Sequence, residues 1–190
     1  MRVAELSPVW LLRHPPVAVP RGTCYGRSNI ALAGAVQDFA ENLRAGLPEA
    51  PLIVSSPLSR CLKLARALGE CETDERLSEI DFGEWEMRAF DAIERHLIDA
   101  WAESPLHFRP PGGETVAEMA TRAIEAFEDW RRRAAGRALL IVSHGGPLRA
   151  IAGHLNRLPE AEWLALHFEP ARLYPFRLDS SISSQSSMGM

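Results

Sequence analysis

Apolar positions along this chain follow two alternating rhythms: short unbroken runs of branched residues, and longer stretches with an apolar residue at every third or fourth place. The runs are Val9–Leu12, Leu52–Ser55 and Leu139–Val142, and each predicts a buried strand. Helical spacing predicts a helix from about Ala35 to Leu47, stopped by Pro48, and a second after Pro57 that carries Leu58, Cys61, Leu62, Ala65 and Leu68. A third opens at Glu114-Thr115 and runs to about Ala134, with Val116, Met119, Ala120, Ala123, Ile124, Phe127 and Trp130 on one face. A fourth covers Leu148–Leu155, with Pro147 suited to a first helical position. Glu86–Trp101 reads as a further helix and Ser104–Gly113 as a proline-rich connection. A strand end is expected around Leu77, and Leu166–Phe168 and Leu173–Leu178 as two closing strands.

Strands that alternate with helices predict an α/β fold, here a three-layer α/β/α sandwich with a mostly parallel central sheet. No linker composition or internal repeat divides the chain. One domain is expected over 1–179, with a Ser-rich, frayed tail over 180–190. Ligands of such sheets bind outside the carboxyl ends of the strands. Arg13 and His14 follow the first run, Arg60 follows the second and His144 follows the third, so the topology gathers four chemically capable residues on one rim.

Composition narrows the classes of partner. With 46% hydrophobic and 24% charged residues the chain is ordinarily globular, and a net charge of −4 argues against nucleic acid, which is held by concentrated Lys and Arg. No stretch approaches the ~20 apolar residues of a membrane span. Cys24, Cys61 and Cys71 are odd in number and lack metal-ligand spacing, and the start of the chain has no signal-peptide core, so a reducing cytoplasm is expected. Nothing in the pattern predicts an oligomeric state.

Two histidines and two arginines on one rim suit phosphoryl transfer. Guanidinium groups pair with phosphate oxygens and stay charged, while a neutral imidazole attacks phosphorus. The leaving alkoxide then needs a proton from a carboxylic acid. Glu79, Asp81, Glu84 and Glu86 form an acidic cluster that offers several candidates, and spacing does not choose among them. The helix after Gly145-Gly146 adds free N–H groups that favour an anion. A lone histidine after a strand is usually structural; the weight here lies in the combination.

Five segments occur in order: Leu11-Leu12-Arg13-His14, Ser55-Ser56-Pro57-Leu58-Ser59-Arg60-Cys61, Leu77-Ser78-Glu79-Ile80-Asp81-Phe82-Gly83-Glu84-Trp85-Glu86, Pro111-Gly112-Gly113-Glu114-Thr115 and Val142-Ser143-His144-Gly145-Gly146. From Val9 to Leu155 the chain thereby resembles the histidine phosphatase superfamily, also called phosphoglycerate-mutase-like, and within it the α-ribazole phosphatase group of cobalamin biosynthesis. The resemblance implies that His14 is the phosphorylated nucleophile and that Arg13, Arg60 and His144 bind the transferred phosphate, next to Gly145. It implies Glu79 as the proton donor, with Glu84 and Glu86 as second choices, and no metal or other cofactor. Cys24-Tyr25-Gly26-Arg27-Ser28 resembles the segment lining the substrate entrance, which makes Tyr25, Gly26 and Arg27 expected substrate contacts.

Four positions depart from the family pattern. Pro15-Pro16 replaces Gly-Glu after His14, Asn29 stands where Asp is common, and Met87 replaces a common Gly. The function expected is a metal-independent phosphomonoesterase acting on a small phosphorylated substrate, with α-ribazole 5′-phosphate the first candidate. The rivals are a phosphoglycerate mutase, which returns the phosphoryl group to a second hydroxyl, and a phosphate-binding protein without turnover, suggested by the two prolines.

Overall fold

The computed structural model describes residues 8–176. The expected domain boundary at 179, the serine-rich tail and the last two residues of the expected Leu173–Leu178 strand lie outside the described residues.

A five-stranded sheet has the order β3-β2-β4-β1-β5. Its strands are β1 (Val9–Arg13), β2 (Leu52–Ser55), β3 (Cys71–Thr73), β4 (Leu139–Ser143) and β5 (Leu173–Phe176). All neighbouring pairs are parallel except β5 on β1. The helices are α1 (Val36–Arg44), α2 (Ser59–Leu68), α3 (Arg95–Glu103), α4 (Val116–Ala134), α5 (Gly145–Leu155) and α6 (Glu160–Trp163).

Every residue of β4 is buried, because helices cover both faces of a mostly parallel sheet, and this is why its sequence is an unbroken apolar run rather than an alternation. Successive strand residues divide between the two faces. Leu11, Val54 and Ile141 pack with Phe127 of α4 and Leu148 and Ile151 of α5. Leu12, Ile53, Leu140 and Val142 pack with Leu43 of α1 and with Cys61, Leu64 and Leu68 of α2. The three expected layers are therefore present. A third, smaller cluster of Cys24, Trp85 and Ile93, with Trp101 and Phe108 against it, lies in the loops. In it the rings of Trp85 and Phe108 stack at 5.5 Å.

The helix expected at Glu86–Trp101 does not form as one piece. The chain makes single 3-10 turns at Gly83–Trp85 and Phe90–Ala92, and only α3 is α-helical. The reason lies in where the backbone bonds go: the N–H of Met87 donates to Cys24 O, Phe90 N to Gly22 O, and Cys24 N to Arg88 O. These residues pair sideways with the loop before Tyr25 instead of with their own preceding turn. Met87 sits at φ +63°, a left-handed position that explains why glycine suits it.

Leu77 is likewise in a 3-10 turn (Glu75–Leu77), capped by the Asp74 side chain, and the strand lies upstream at β3. Leu166–Phe168 is not a strand. Its carbonyls instead accept side-chain bonds, Leu166 O from Arg149 Nε at 2.7 Å and Phe168 O from an Arg13 terminal nitrogen at 3.0 Å. Pro147 is the third residue of α5, not the first. It is tolerated there because a first-turn N–H has no intrahelical acceptor to lose.

Candidate active site

His14 directly follows β1, and its N–H donates to Ser143 O at 3.0 Å, which continues the parallel ladder one residue past the end of β1. His144 is the N-cap residue of α5. Ser56 follows β2, its N–H donating to Val142 O at 2.9 Å, and the chain then enters α2 with Arg60 in the first turn. Three adjacent strand ends thus deliver His14, His144 and Arg60 to one point. The imidazole rings of His14 and His144 lie 5.1 Å apart, centroid to centroid.

His14 is buried, and its Nδ1 lies 2.7 Å from the carbonyl oxygen of Pro15. A carbonyl only accepts, so Nδ1 carries the proton and the lone pair sits on Nε2. Burial, assisted by the Arg60 and Arg13 charges, lowers the pKa of His14 to about 3, against the raising effect of the Pro15 bond. The ring is therefore neutral and nucleophilic at Nε2.

His144 is fully buried. Arg60 Nε donates to its Nδ1 at 3.2 Å, so its proton is on Nε2, which donates to Ser56 Oγ at 2.8 Å. Burial first, then the Arg60 charge and the neighbouring His14, hold its pKa well below the ordinary value. Arg60 is also fully buried, and its terminal nitrogens donate to Ser28 O at 2.7 Å and Gly26 O at 2.6 Å. Its side chain lies 5.7 Å over the ring of Tyr25. Arg13, by contrast, has a buried Nε without a partner. That open donor faces the start of α5, where a Cβ on Gly145 would lie 3.8 Å from the guanidinium carbon.

The loop of residues 24–28, expected to line the entrance, is held from both sides. While Arg60 takes its carbonyls, Glu86 takes its amides. One oxygen accepts from Gly26 N at 3.1 Å, Ser28 N at 3.1 Å and Ser28 Oγ at 2.5 Å, the other from Arg27 N at 3.0 Å and Phe82 N at 3.2 Å. Burial pushes the Glu86 carboxyl up, but bonds from Ser28, Gly26 and Phe82 outweigh it and hold the pKa below the usual range. A carboxylate so occupied keeps its charge and has no proton to give, which removes Glu86 from the candidate acids. Gly26 is obligatory, since a Cβ there would fall 1.8 Å from Ile80 O. Arg27 is exposed, 3.9 Å from Asp81. Asn29 caps the neighbouring helix, its Oδ1 accepting from Ser59 N at 2.9 Å.

Glu79 reaches the first turn of α5, where Oε2 accepts from Gly146 N at 3.3 Å; its Oε1 accepts from Ile80 N at 3.1 Å. Glu84 is exposed. The segment bearing Glu79 is clamped by Arg122 of α4, which donates to Arg76 O at 2.8 Å, Ser78 O at 2.6 Å and Glu79 O at 3.1 Å. Arg122 is itself paired with Glu114, whose Oε1 also accepts from Asp81 N at 2.9 Å. This gives Glu114 of the fourth motif a positioning role. Arg122, Ser56 and Gly146 went unassigned from sequence: a side chain that holds backbone carbonyls leaves no spacing signature.

Among the described residues no group of three or more His, Cys, Asp or Glu side chains is placed to share a metal ion, and no helix is long and apolar enough to cross a membrane.

The mostly parallel sheet, with a histidine pair and arginines at its strand ends, defines an α/β protein. The chain belongs to the histidine phosphatase superfamily (branch 1), whose family model matches residues 9–184. It is 32% identical over 130 residues to a glucosyl-3-phosphoglycerate phosphatase of Mycolicibacterium vanbaalenii, covering 60% of this chain and 57% of that protein. It is 32% identical over 108 residues to phosphoserine phosphatase 1 of Hydrogenobacter thermophilus, covering 53% and 51%. The chain therefore spans only about half the length of the curated relatives it matches. Among solved structures, the α-ribazole phosphatase of Shigella flexneri superposes with a TM-score of 0.81 at 23% identity over 91% of each chain, a likeness of fold. A mycobacterial glucosyl-3-phosphoglycerate phosphatase superposes at 0.75 with 26% identity over 89% of each.

Proposed function

We propose that this protein is a metal-independent phosphomonoesterase that works through a phosphohistidine at Nε2 of His14. The observation that carries the reading is the Nδ1–H bond to Pro15 O, which fixes the tautomer and directs a neutral lone pair at the rim. Pro15 removes a backbone donor, yet supplies the carbonyl that the nucleophile needs, so the departure from the family pattern is compatible with turnover.

In the first step Nε2 attacks phosphorus, the bond from phosphorus to the ester oxygen breaks, and Glu79 gives its proton to the leaving oxygen. In the second, water attacks the phosphohistidine, Glu79 takes the water's proton, and the phosphorus–nitrogen bond breaks to release inorganic phosphate. Arg13 Nε and the N–H of Gly145 donate to the phosphate oxygens. Arg60 contributes those of its five N–H groups that the Gly26 and Ser28 carbonyls and His144 leave free. His144 joins by exchanging Ser56 Oγ for a phosphate oxygen. Tyr25, Gly26 and Arg27 form the mouth of the site.

For substrate we put forward a small phosphomonoester, with α-ribazole 5′-phosphate as the first compound to test. Glucosyl-3-phosphoglycerate and phosphoserine, the substrates in the relatives' names, stand beside it. The proposed compartment is the cytoplasm, on the three free cysteines. The test is phosphate release from para-nitrophenyl phosphate and from this panel with a chelator present. Turnover that survives the chelator supports the reading; turnover that needs an added metal, or none at all, overturns it.

A further inference from the structure

Next to Glu79 the structure holds a cavity of about 160 Å3 that the steps above do not use. Its walls are mainly apolar: Phe82, Trp101 of α3, Met119 and Ala120 of α4, and Trp163 and Leu164 at the end of α6. Phe82 and Trp101 meet edge to face at 6.3 Å, and Trp163 spends its indole N–H on Leu158 O at 3.0 Å, so these side chains present hydrocarbon to the space. The charged groups in the lining are Glu79, bonded to the first turn of α5, and Arg149 of α5 itself, whose Nε is given to Leu166 O at 2.7 Å.

The position of the cavity gives it a role. Gly146 lines it and also binds the carboxylate of Glu79, two residues along from His144, whose ring lies beside that of His14. If Glu79 protonates the leaving oxygen, the carbon skeleton attached to that oxygen extends away from phosphorus, past Glu79, into this space. A cavity of about 150 Å3 with hydrocarbon walls holds one benzene ring, so the size here fits one aromatic ring. Hydroxyl groups or a zwitterionic head placed against Phe82, Met119 and Leu164 would lose water without gaining partners there.

We infer that the cavity bounded by Phe82, Trp101, Met119, Trp163 and Leu164 is a leaving-group subsite, selecting phosphomonoesters whose alcohol carries a flat apolar group of about one ring. This rests on the phosphatase reading above and adds the substrate class to it.

The experiment compares kcat/KM for benzyl phosphate, glycerol 3-phosphate and O-phosphoserine on the wild-type protein. All three release a primary alkoxide, so differences report the pocket rather than the ease of bond breaking. Benzyl phosphate is expected to exceed the other two by at least tenfold. Ala120→Leu, which places bulk in the cavity, is expected to shrink that ratio below threefold, with thermal unfolding to show that the variant is folded. Glycerol 3-phosphate or phosphoserine turned over as well as benzyl phosphate overturns the subsite and leaves the phosphatase standing, as does a ratio unmoved in folded Ala120→Leu. Failure of all three esters together with para-nitrophenyl phosphate overturns both readings. The wild-type comparison decides alone if the variant does not fold.

Discussion

At His14 the choice of nucleophilic nitrogen is made by one carbonyl: Pro15 O takes the Nδ1 proton at 2.7 Å and burial keeps the ring neutral, so Nε2 is ready without a separate base. In the proposed reaction Glu79 is the complementary group, held by Gly146 N and Ile80 N. Glu79→Gln keeps the shape and removes the acid. On an alkyl phosphate it is expected to lower kcat/KM, which reports the phosphorylation step, by about 10²–10⁴-fold, and on para-nitrophenyl phosphate by far less, because that phenolate leaves without a proton. Steady-state kinetics on the two esters checks this, and equal losses on both would take the proton-donor role away from Glu79. His14, Arg13 and His144 were legible in sequence because each follows a short apolar run and precedes a helix-breaking or helix-starting residue. Glu86 was not, since four carboxylates within eight residues look alike until the backbone amides that each accepts are seen.

The entrance loop shows how an element can be set by residues far from it in sequence. Glu86 gathers the amides of Gly26, Arg27 and Ser28, and Arg60 takes the opposing carbonyls, so the loop is fixed without belonging to a helix or a strand. Glu86→Ala leaves those amides, part-buried at Gly26 and Ser28, unpaired and is expected to cost about 1–3 kcal/mol of stability, with a higher KM from a loosened mouth; denaturant unfolding and substrate titration measure the two effects. An unchanged midpoint would mean that the loop is held by Arg60 alone. Elements with strong periodicity were legible, and α4 carries the Thr115–Glu118 capping box that marks its start. The span from Gly83 to Ile93 was not, because its backbone pairs with residues 22–24, and no periodicity within the span reports a partner some sixty positions earlier. The short β3 and α6 also gave no run long enough to read.

For the molecule as a whole, the rim places two neutral imidazoles inside the fold, and stability must depend on pH as a result. An unfolded chain binds a proton on each histidine near the ordinary value of 6.5, whereas the native pKa of His14 is about 3 and that of His144 is also lowered. Below pH 6.5 the unfolded state therefore binds more protons, so this stability is complete above pH 6.5 and lost as pH falls. The slope is about 1.4 kcal/mol per pH unit for each buried neutral histidine. Asp74 and Glu86, whose pKa values are also lowered, act in the same direction but only in the carboxylate range below. The unfolding midpoint is expected to drop between pH 7 and pH 5, and His14→Asn to flatten that slope by about half; a flat wild-type profile would contradict neutral burial. The central claim is the covalent intermediate, and it is met most directly by rapid acid-free quenching during turnover of a labelled phosphomonoester, followed by mapping of the labelled peptide. The account predicts an acid-labile, base-stable phosphoryl group on His14 that is missing in His14→Ala. Label on another residue, or turnover retained in His14→Ala, would contradict it.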